Sequence, residues 1–135
     1  MFPNFKFPSI NYLLTHSMEL ISHTINNKTI IEIVSDSFVI SELDDALDVL
    51  GNAYYLGATG MIIHENNLSP DFFDLSTKIA GEILQKFSTY QMHLAIVGDF
   101  NKFKSKSLHD FIYESNKTGK ILFVSTLEEA KERIK

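Results

Sequence analysis

The sequence of 135 residues is 44% hydrophobic and 21% charged, which predicts one globular domain with a hydrophobic core. It contains no cysteine, which excludes disulfides and thiolate metal sites, and its net charge of −5 argues against a general nucleic-acid-binding protein. It shows no signal-peptide pattern and no run of roughly 20 apolar residues, so we expect a cytoplasmic protein without a membrane span.

The first 17 residues differ most from the rest of the chain. The aromatic residues of this segment are Phe2, Phe5, Phe7 and Tyr12. Pro3 and Pro8 interrupt them and disfavour a helix. We predict an N-terminal aromatic arm over residues 1–17 that is disordered or loosely docked, and Met18 is then a candidate for the natural start. The alternative is that the arm docks on a partner or on a second copy of the chain.

Two strands joined by a tight turn are predicted at the start of the domain, which we place at residues 18–135. Residues 19–25 form the first strand, and the largely β-branched residues 29–34 form the second. Asn26 and Asn27 lie between them, and asparagine tolerates the left-handed backbone conformation that short hairpins require.

A helix and a buried strand follow. Ser41 is the predicted N-cap of the helix, and Gly57 marks its end. Apolar residues recur between them at helical spacing: Leu43, Ala46, Leu47, Leu50 and Tyr54. Residues 61–63 are apolar throughout, which is typical of a strand that is buried on both faces.

Helix and strand alternate in the rest of the chain. Ser69, Pro70 and Asp71 predict a helix start, because serine caps, proline fits the first helical position and an acid stabilises the first turn. This long helix is expected to reach about residue 90. The later elements are a strand at residues 93–97, a helix between Ser105 and Gly119, a strand at residues 121–124, and a last helix from Thr126.

The resulting order of elements is β-β-α-β-α-β-α-β-α. Strands that alternate with helices pair in parallel through crossover connections. We therefore predict a single-domain α/β fold, a βα superhelix with a mostly parallel sheet.

Five phrases of the sequence carry a family resemblance: ISELDDALDVLGNAYY, FFDLSTKIAGEILQKF, LAIVGDFNKF, SLHDFIYESN and FVSTLEEA. They resemble the bacterial family called domain of unknown function 4180. The resemblance covers residues 18–135 and leaves the first 17 residues outside. That family brings no established activity, so the resemblance implies relatives but no chemistry.

The element order, and the phrase LAIVGDF followed by a final LEEA helix, are also similar to STAS domains (sulphate transporter and anti-sigma-factor antagonist) and to SpoIIAA-like proteins. This similarity implies a βα superhelix that binds partner proteins. In some of these domains a serine in a D-S-[ST]-G turn is phosphorylated. Residues 65–70, with the sequence ENNLSP, lack that motif, so the resemblance does not carry the phosphoserine over to this chain.

Polar side chains follow two neighbouring predicted strands, at the edge where ligands bind in many open α/β sheets. His64 and Glu65 follow one strand and Asp99 follows the next, while Asp74 lies one turn into the long helix. Because a histidine beside carboxylates can act as a general base or bind a ligand, these four are the candidate ligand-binding residues. The alternative is that they only cap and solvate the strand ends, since sequential strand order leaves no crevice there.

A loop after the strand at residues 93–97 combines aromatic and basic side chains. Phe100, Lys102, Phe103 and Lys104 are the candidate partner-binding residues, because such side chains stack on bases or contact an acidic partner. The alternative is that the phenylalanines fold into the core and the lysines stay solvated.

The sequence contains no recognisable catalytic, metal-binding or cofactor-binding motif. It lacks a phosphate-binding glycine loop, a dinucleotide fingerprint and a nucleophile elbow. The remaining histidines lack the paired spacing of a zinc helix: His16, His23, His93 and His109.

We therefore expect a non-enzymatic protein-interaction or regulatory domain of STAS-like type, without a cofactor or metal. Its partner is an unidentified protein or a second copy of the chain, with a dimer slightly favoured over a monomer and nucleic acid disfavoured. The alternative function is that of a small-molecule-binding protein or modest enzyme that uses the strand-end edge.

Overall fold

A computed structural model describes residues 18–134, so the predicted N-terminal arm lies outside the described residues. Its strands form one sheet in the order of the sequence, with the first pair antiparallel and every later pair parallel. The strands are β1 (Met18–Ile25), β2 (Lys28–Ser35), β3 (Ala58–His64), β4 (His93–Val97) and β5 (Ile121–Val124). The predicted α/β domain with a mostly parallel sheet is thereby confirmed.

The turn between β1 and β2 is the predicted asparagine pair. Asn26 and Asn27 have positive φ angles of 53° and 64°. A two-residue loop with both residues in this region has a twist that matches the twist of the strands that it joins. The sequence pair therefore sets the register of β1 on β2, which runs without a shift from Met18 opposite Ser35 to Ile25 opposite Lys28.

Helices connect the later strands, and a final helix closes the described chain. They are α1 (Leu43–Tyr55), α2 (Ile79–Thr89), α3 (Lys106–Thr118) and α4 (Leu127–Arg133). The predicted cap of α3 is confirmed, since the Ser105 Oγ accepts a hydrogen bond from the Leu108 N–H at 3.1 Å. Gly119 ends α3 with a φ of 77°, as predicted. Among residues 18–134, no helix is long and apolar enough to cross a membrane.

The prediction of one long helix from Ser69 to about residue 90 is wrong. Two 3₁₀ turns, Pro70–Phe73 and Leu75–Thr77, come first, and α2 begins only at Ile79. Ser69 is buried and makes no side-chain cap.

Side chains in this segment compete with helical backbone hydrogen bonds. The Asp74 carboxylate accepts from the Ser76 N–H, and the Thr77 hydroxyl donates to the carbonyls of Asp71 and Asp74. These carbonyls and that N–H are the groups that an α-helix would use, so short polar side chains interrupt it here. Lys78 then adopts a φ of 65° and separates the turns from α2.

The predicted N-cap of α1 is also wrong by one residue. Glu42 is the N-cap, and the Asp45 carboxylate accepts hydrogen bonds from the N–H groups of both Ser41 and Glu42. Asp45, at the third helical position, thus reaches back to the N-cap backbone as the acid of a capping box does.

The two faces of the sheet are covered unequally. The three-helix face packs under α1, α2 and α3, and its central residues are Ile31, Ile33, Met61, Ile63, Leu94 and Ile96. The α4 face packs against Ala130 and Ile134, and its apolar residues are Ile30, Ile62, Ala95, Val97, Leu122 and Val124. Gly60 permits close contact on this side, since a Cβ there would lie 2.9 Å from Ile30 Cδ1 and 3.1 Å from Ile134 Cδ1.

The outer edge of β5 is occupied by side chains of α3. The Asn116 amide pairs with the backbone of Phe123, accepting from its N–H at 2.7 Å and donating to its carbonyl at 3.2 Å. The Ser115 hydroxyl donates to the Ile121 carbonyl at 2.8 Å. These contacts satisfy edge groups that another strand would otherwise bind.

We expect Asn116→Ala to lower the free energy of unfolding by roughly 1–3 kcal/mol, because two part-buried backbone groups lose their partner. The matched control is Asn66→Ala, at an exposed position outside the sheet, which we expect to change it by less than about 0.5 kcal/mol. Urea titrations of both variants measure the difference. Equal losses in the two would contradict the role given to Asn116.

Candidate functional site

One carboxylate lies among the apolar residues of the α4 face. Glu32 is in the middle of β2, opposite Ile21 of β1 and Ile62 of β3. Its side chain is only 5% exposed. Removing a carboxylate from water is costly unless hydrogen-bond donors replace the water, so the partners of Glu32 decide whether this strand is stable.

Two histidines supply those donors. His23 Nε2 lies 2.9 Å from Glu32 Oε1, and His64 Nε2 lies 2.7 Å from Glu32 Oε2. Each carboxylate oxygen therefore has its own imidazole. The His23 and His64 side chains are 17% and 29% exposed, so the histidines separate the carboxylate from solvent.

Strand direction explains this arrangement. His23 comes two residues after Ile21 on the antiparallel β1, and His64 comes two residues after Ile62 on the parallel β3. Residues two apart share a face, and the two strands run in opposite directions. The imidazoles thus approach Glu32 from diagonally opposite sides. We call these three residues the His–Glu–His cluster.

Opposing effects set the protonation of Glu32. Burial raises the pKa of this carboxyl group, while hydrogen bonds from His64 and His23 and the charge of the two rings lower it. The balance leaves the pKa of Glu32 below its usual value of 4.5. Glu32 is consequently an anion at neutral pH, held by two ring N–H donors.

This geometry orients histidines but does not form a metal centre. In its neutral form, an imidazole whose Nε2 donates to a carboxylate has Nδ1 as its acceptor nitrogen, which is how an acid orients a histidine base. Among residues 18–134, no group of three or more histidine and acidic side chains is placed to hold a metal ion.

The candidate residues at the strand ends fall into separate groups. His64 belongs to the cluster with Glu32, while Glu65 faces the end of β4. Glu65 Oε1 accepts from the Asp99 N–H at 3.0 Å, and Glu65 Oε2 lies 2.8 Å from Lys102 Nζ. The two carboxylates are thus linked through the backbone of Asp99, whose own side chain accepts from the Asn101 N–H.

Gly98 makes room for Glu65 at this edge. A Cβ on Gly98 would overlap Glu65 Cγ, lying closer than side-chain atoms approach each other. The absence of a side chain at position 98 therefore lets Glu65 lie across the end of β4 and bind its backbone.

Asp74 has a local structural role. Its carboxylate accepts from both the N–H and the hydroxyl of Ser76, at 3.0 and 2.7 Å. These hydrogen bonds lower the pKa of Asp74 below its usual value. Asp74 therefore forms the turn before α2, in contacts separate from those of the other three candidate residues.

The loop with the candidate partner-binding residues packs largely against the domain itself. The Phe103 ring stacks on Phe73 with centroids 4.7 Å apart, and Phe100 meets Phe123 edge to face at 5.3 Å. Lys102 pairs with Glu65 and lies over the Phe103 ring, whereas Lys104 is exposed. The aromatic side chains thus contribute to the core on the three-helix face.

Sequence reasoning missed two of the three cluster residues. A lone acid inside the apolar run TIIEIV was the available signal for Glu32. His23 carries no such signal, since its contact depends on the register of β1 on β2.

The fold and the site together define a single-domain α/β protein with a partly buried His–Glu–His cluster. A family model matches residues 25–134 and is described as Domain of unknown function (DUF4180). The chain belongs to this family, as its sequence phrases predicted. Searches of the curated proteins and of the solved structures gave no match.

We expect Glu32→Gln to lower the free energy of unfolding at neutral pH by on the order of 2–4 kcal/mol, because the amide replaces the anion that accepts both ring N–H groups. The pKa of the Glu32 carboxyl group is lowered in the folded state, so this group stabilises the fold at every pH above the pKa that it has in the unfolded state. The stabilisation is lost as the pH falls through the pKa of the folded state. The variant should therefore lose less stability than the parent between about pH 5 and the acid range.

Urea titrations across this pH range provide the measurement. Glu82→Gln, at an exposed position of α2, is the control and should follow the parent protein. An unchanged acid slope in Glu32→Gln would show that another group is responsible.

Proposed function

We propose that this chain is a non-enzymatic protein-interaction or regulatory domain of STAS-like type in the bacterial cytoplasm. The observation that carries the proposal is the difference between the two edges of the sheet. Asn116 and Ser115 close the β5 edge from within the chain. Among the described residues, β1 pairs only with β2, and its outer edge is where we propose that a strand of a partner adds.

Apolar side chains at the same end of the β1–β2 pair support an interaction surface. Leu20, Val34 and Phe38 are all exposed there, although the isoleucines of β2 are buried. Leu20 lies opposite Ile33, and Val34 lies opposite Glu19. Leu20 lies on the three-helix face and Val34 on the α4 face, so this end of the edge carries exposed apolar side chains on both faces of the sheet.

The use of the strand-end polar groups also favours this class. Glu65 and Asp99 bind backbone N–H groups, and Asp74 binds Ser76. Groups that satisfy the domain's own backbone are poor candidates for acid–base chemistry. The similarity of the element order to STAS domains, which bind partner proteins, points the same way as fold-level analogy.

We expect Leu20→Lys to abolish self-association or the retention of a stoichiometric partner, because lysine on an edge strand opposes strand pairing. Tyr113→Lys, at an exposed position of α3, is the control and should retain the association. Light scattering and affinity capture with both tagged variants give the comparison. A protein that neither self-associates nor retains any stoichiometric partner would overturn the proposal.

A second candidate function is the binding of a small molecule at His64. Glu32 fixes the orientation of this ring, and the side chain is 29% exposed beside Glu65 at the strand end. A ligand with a hydrogen-bond donor would suit the basic Nδ1 atom of a ring held in this way.

We expect a ligand of this class to shift the NMR signals of His64 and its neighbours in a screen of small polar molecules. The same shifts should be lost in His64→Gln and retained in His109→Gln, whose ring binds the Phe103 carbonyl in a different part of the fold. Shifts that persist in His64→Gln would place the binding elsewhere.

A further inference from the structure

β1 has few of the features that usually keep edge strands apart, since Glu19 is its only Asp, Glu, Lys or Arg residue. Natural edges carry lysine, proline or a bulge that hinders pairing with another sheet. The sequence of β1, MELISHTI, contains no lysine or proline, and all eight residues pair with β2 without a bulge. Leu20, which shares the three-helix face with Ile33, is 39% exposed. This strand is regular and long enough to template another one.

Two-fold symmetry restricts how a second copy of β1 can add to this edge. For two antiparallel copies the axis runs perpendicular to the sheet, so each residue lies opposite a residue on the same face. Alternate residues of a strand share a face. The residue numbers of every opposed pair therefore sum to an even number. One residue then lies opposite its own copy across the axis, and we call this the residue on the axis.

The side chains favour the register with Ile21 on the axis. Glu19 then lies opposite His23 of the partner subunit on the α4 face, and residues 18–24 all find an opposed residue. When His23 is protonated, its Nδ1–H can donate to the opposed Glu19 carboxylate while its Nε2–H donates to Glu32, which makes this a favourable cross-strand pair. Ile21 meets its own copy, which buries apolar surface between the two pairs.

The neighbouring registers are poorer. With Ser22 on the axis, Glu19 faces Ile25 of the partner subunit, and a charge meets an apolar side chain. With Leu20 on the axis, only residues 18–22 are opposed, so much of the strand stays unpaired.

We propose that β1 pairs with β1 of a second copy of this chain, antiparallel and centred on Ile21, so that two five-stranded sheets become one. The inference rests on the proposed function, because it names the partner of the interaction domain. The dimer places the His–Glu–His cluster of each subunit next to the interface, since His23 belongs to both the cluster and the paired strand.

The lack of native cysteine allows a direct test in the full-length chain. Directly opposed residues of antiparallel strands have Cα atoms about 4.5–5.5 Å apart, which suits a disulfide. We expect Ile21→Cys to form a disulfide-linked dimer under mild oxidation, and Ser22→Cys and the exposed control Tyr113→Cys to form at least about ten-fold less at equal concentration. Analytical ultracentrifugation of the parent protein should show a dimer without any cross-link.

The outcomes separate this inference from the proposed function. Preferential cross-linking of Ser22→Cys would overturn the register. A monomeric parent protein, together with no cross-link in Ile21→Cys, would overturn the proposed dimer. The proposed interaction domain would still stand if the parent protein binds a different stoichiometric partner and Leu20→Lys fails to bind it. If no partner of any kind depends on Leu20, both proposals fail.

Discussion

The buried carboxylate of Glu32 contacts side chains of both strands that neighbour β2, the antiparallel β1 and the parallel β3. β2 is the strand at which the sheet changes from antiparallel to parallel pairing, and Glu32 lies at its centre with a histidine from each neighbour. An unpaired anion at this depth would cost far more than a single neutral hydrogen bond provides. The register of β1 and the register of β3 must therefore both be correct before Glu32 is satisfied.

A second buried polar side chain, that of Asn67, connects two loops of the domain. Asn67 is fully buried, and its amide donates to the carbonyls of Ser35 and Ser37 at 2.8 and 2.9 Å. The backbone carbonyl of Asn67 accepts from the N–H groups of Val39 and Ile40. The connection after β2 is thus held against the connection after β3 by one residue. At the strand-end edge, polar side chains bond mainly to backbone groups, so most of these side chains already have a hydrogen-bond partner within the domain.

The fold was predictable because its signals are local. The asparagine pair at positions 26 and 27, the cap at Ser105 and the glycine at 119 act through their own backbone, and the apolar runs identify buried strands. The start of α2 was not predictable in the same way. Ser69 and Pro70 have the chemistry of a helix start, but Asp74 and Thr77 capture the nearby backbone groups instead. The candidate site was predicted only in part, because the contact of His64 with Glu32 depends on strand register.

The unequal edges bear on both the stability of the sheet and its association. A parallel sheet whose strands follow sequence order ends in two edges, and unpaired edge groups invite other strands. This chain uses α3 to cover one edge with an asparagine that mimics the hydrogen bonds of a strand. The β1 edge is built differently. β1 is joined to β2 by a tight turn and to Glu32 by His23, so the strand is held in place while its outer edge stays regular. A rigid edge loses little conformational entropy when a second strand binds, which supports the proposed pairing of β1 with a second copy.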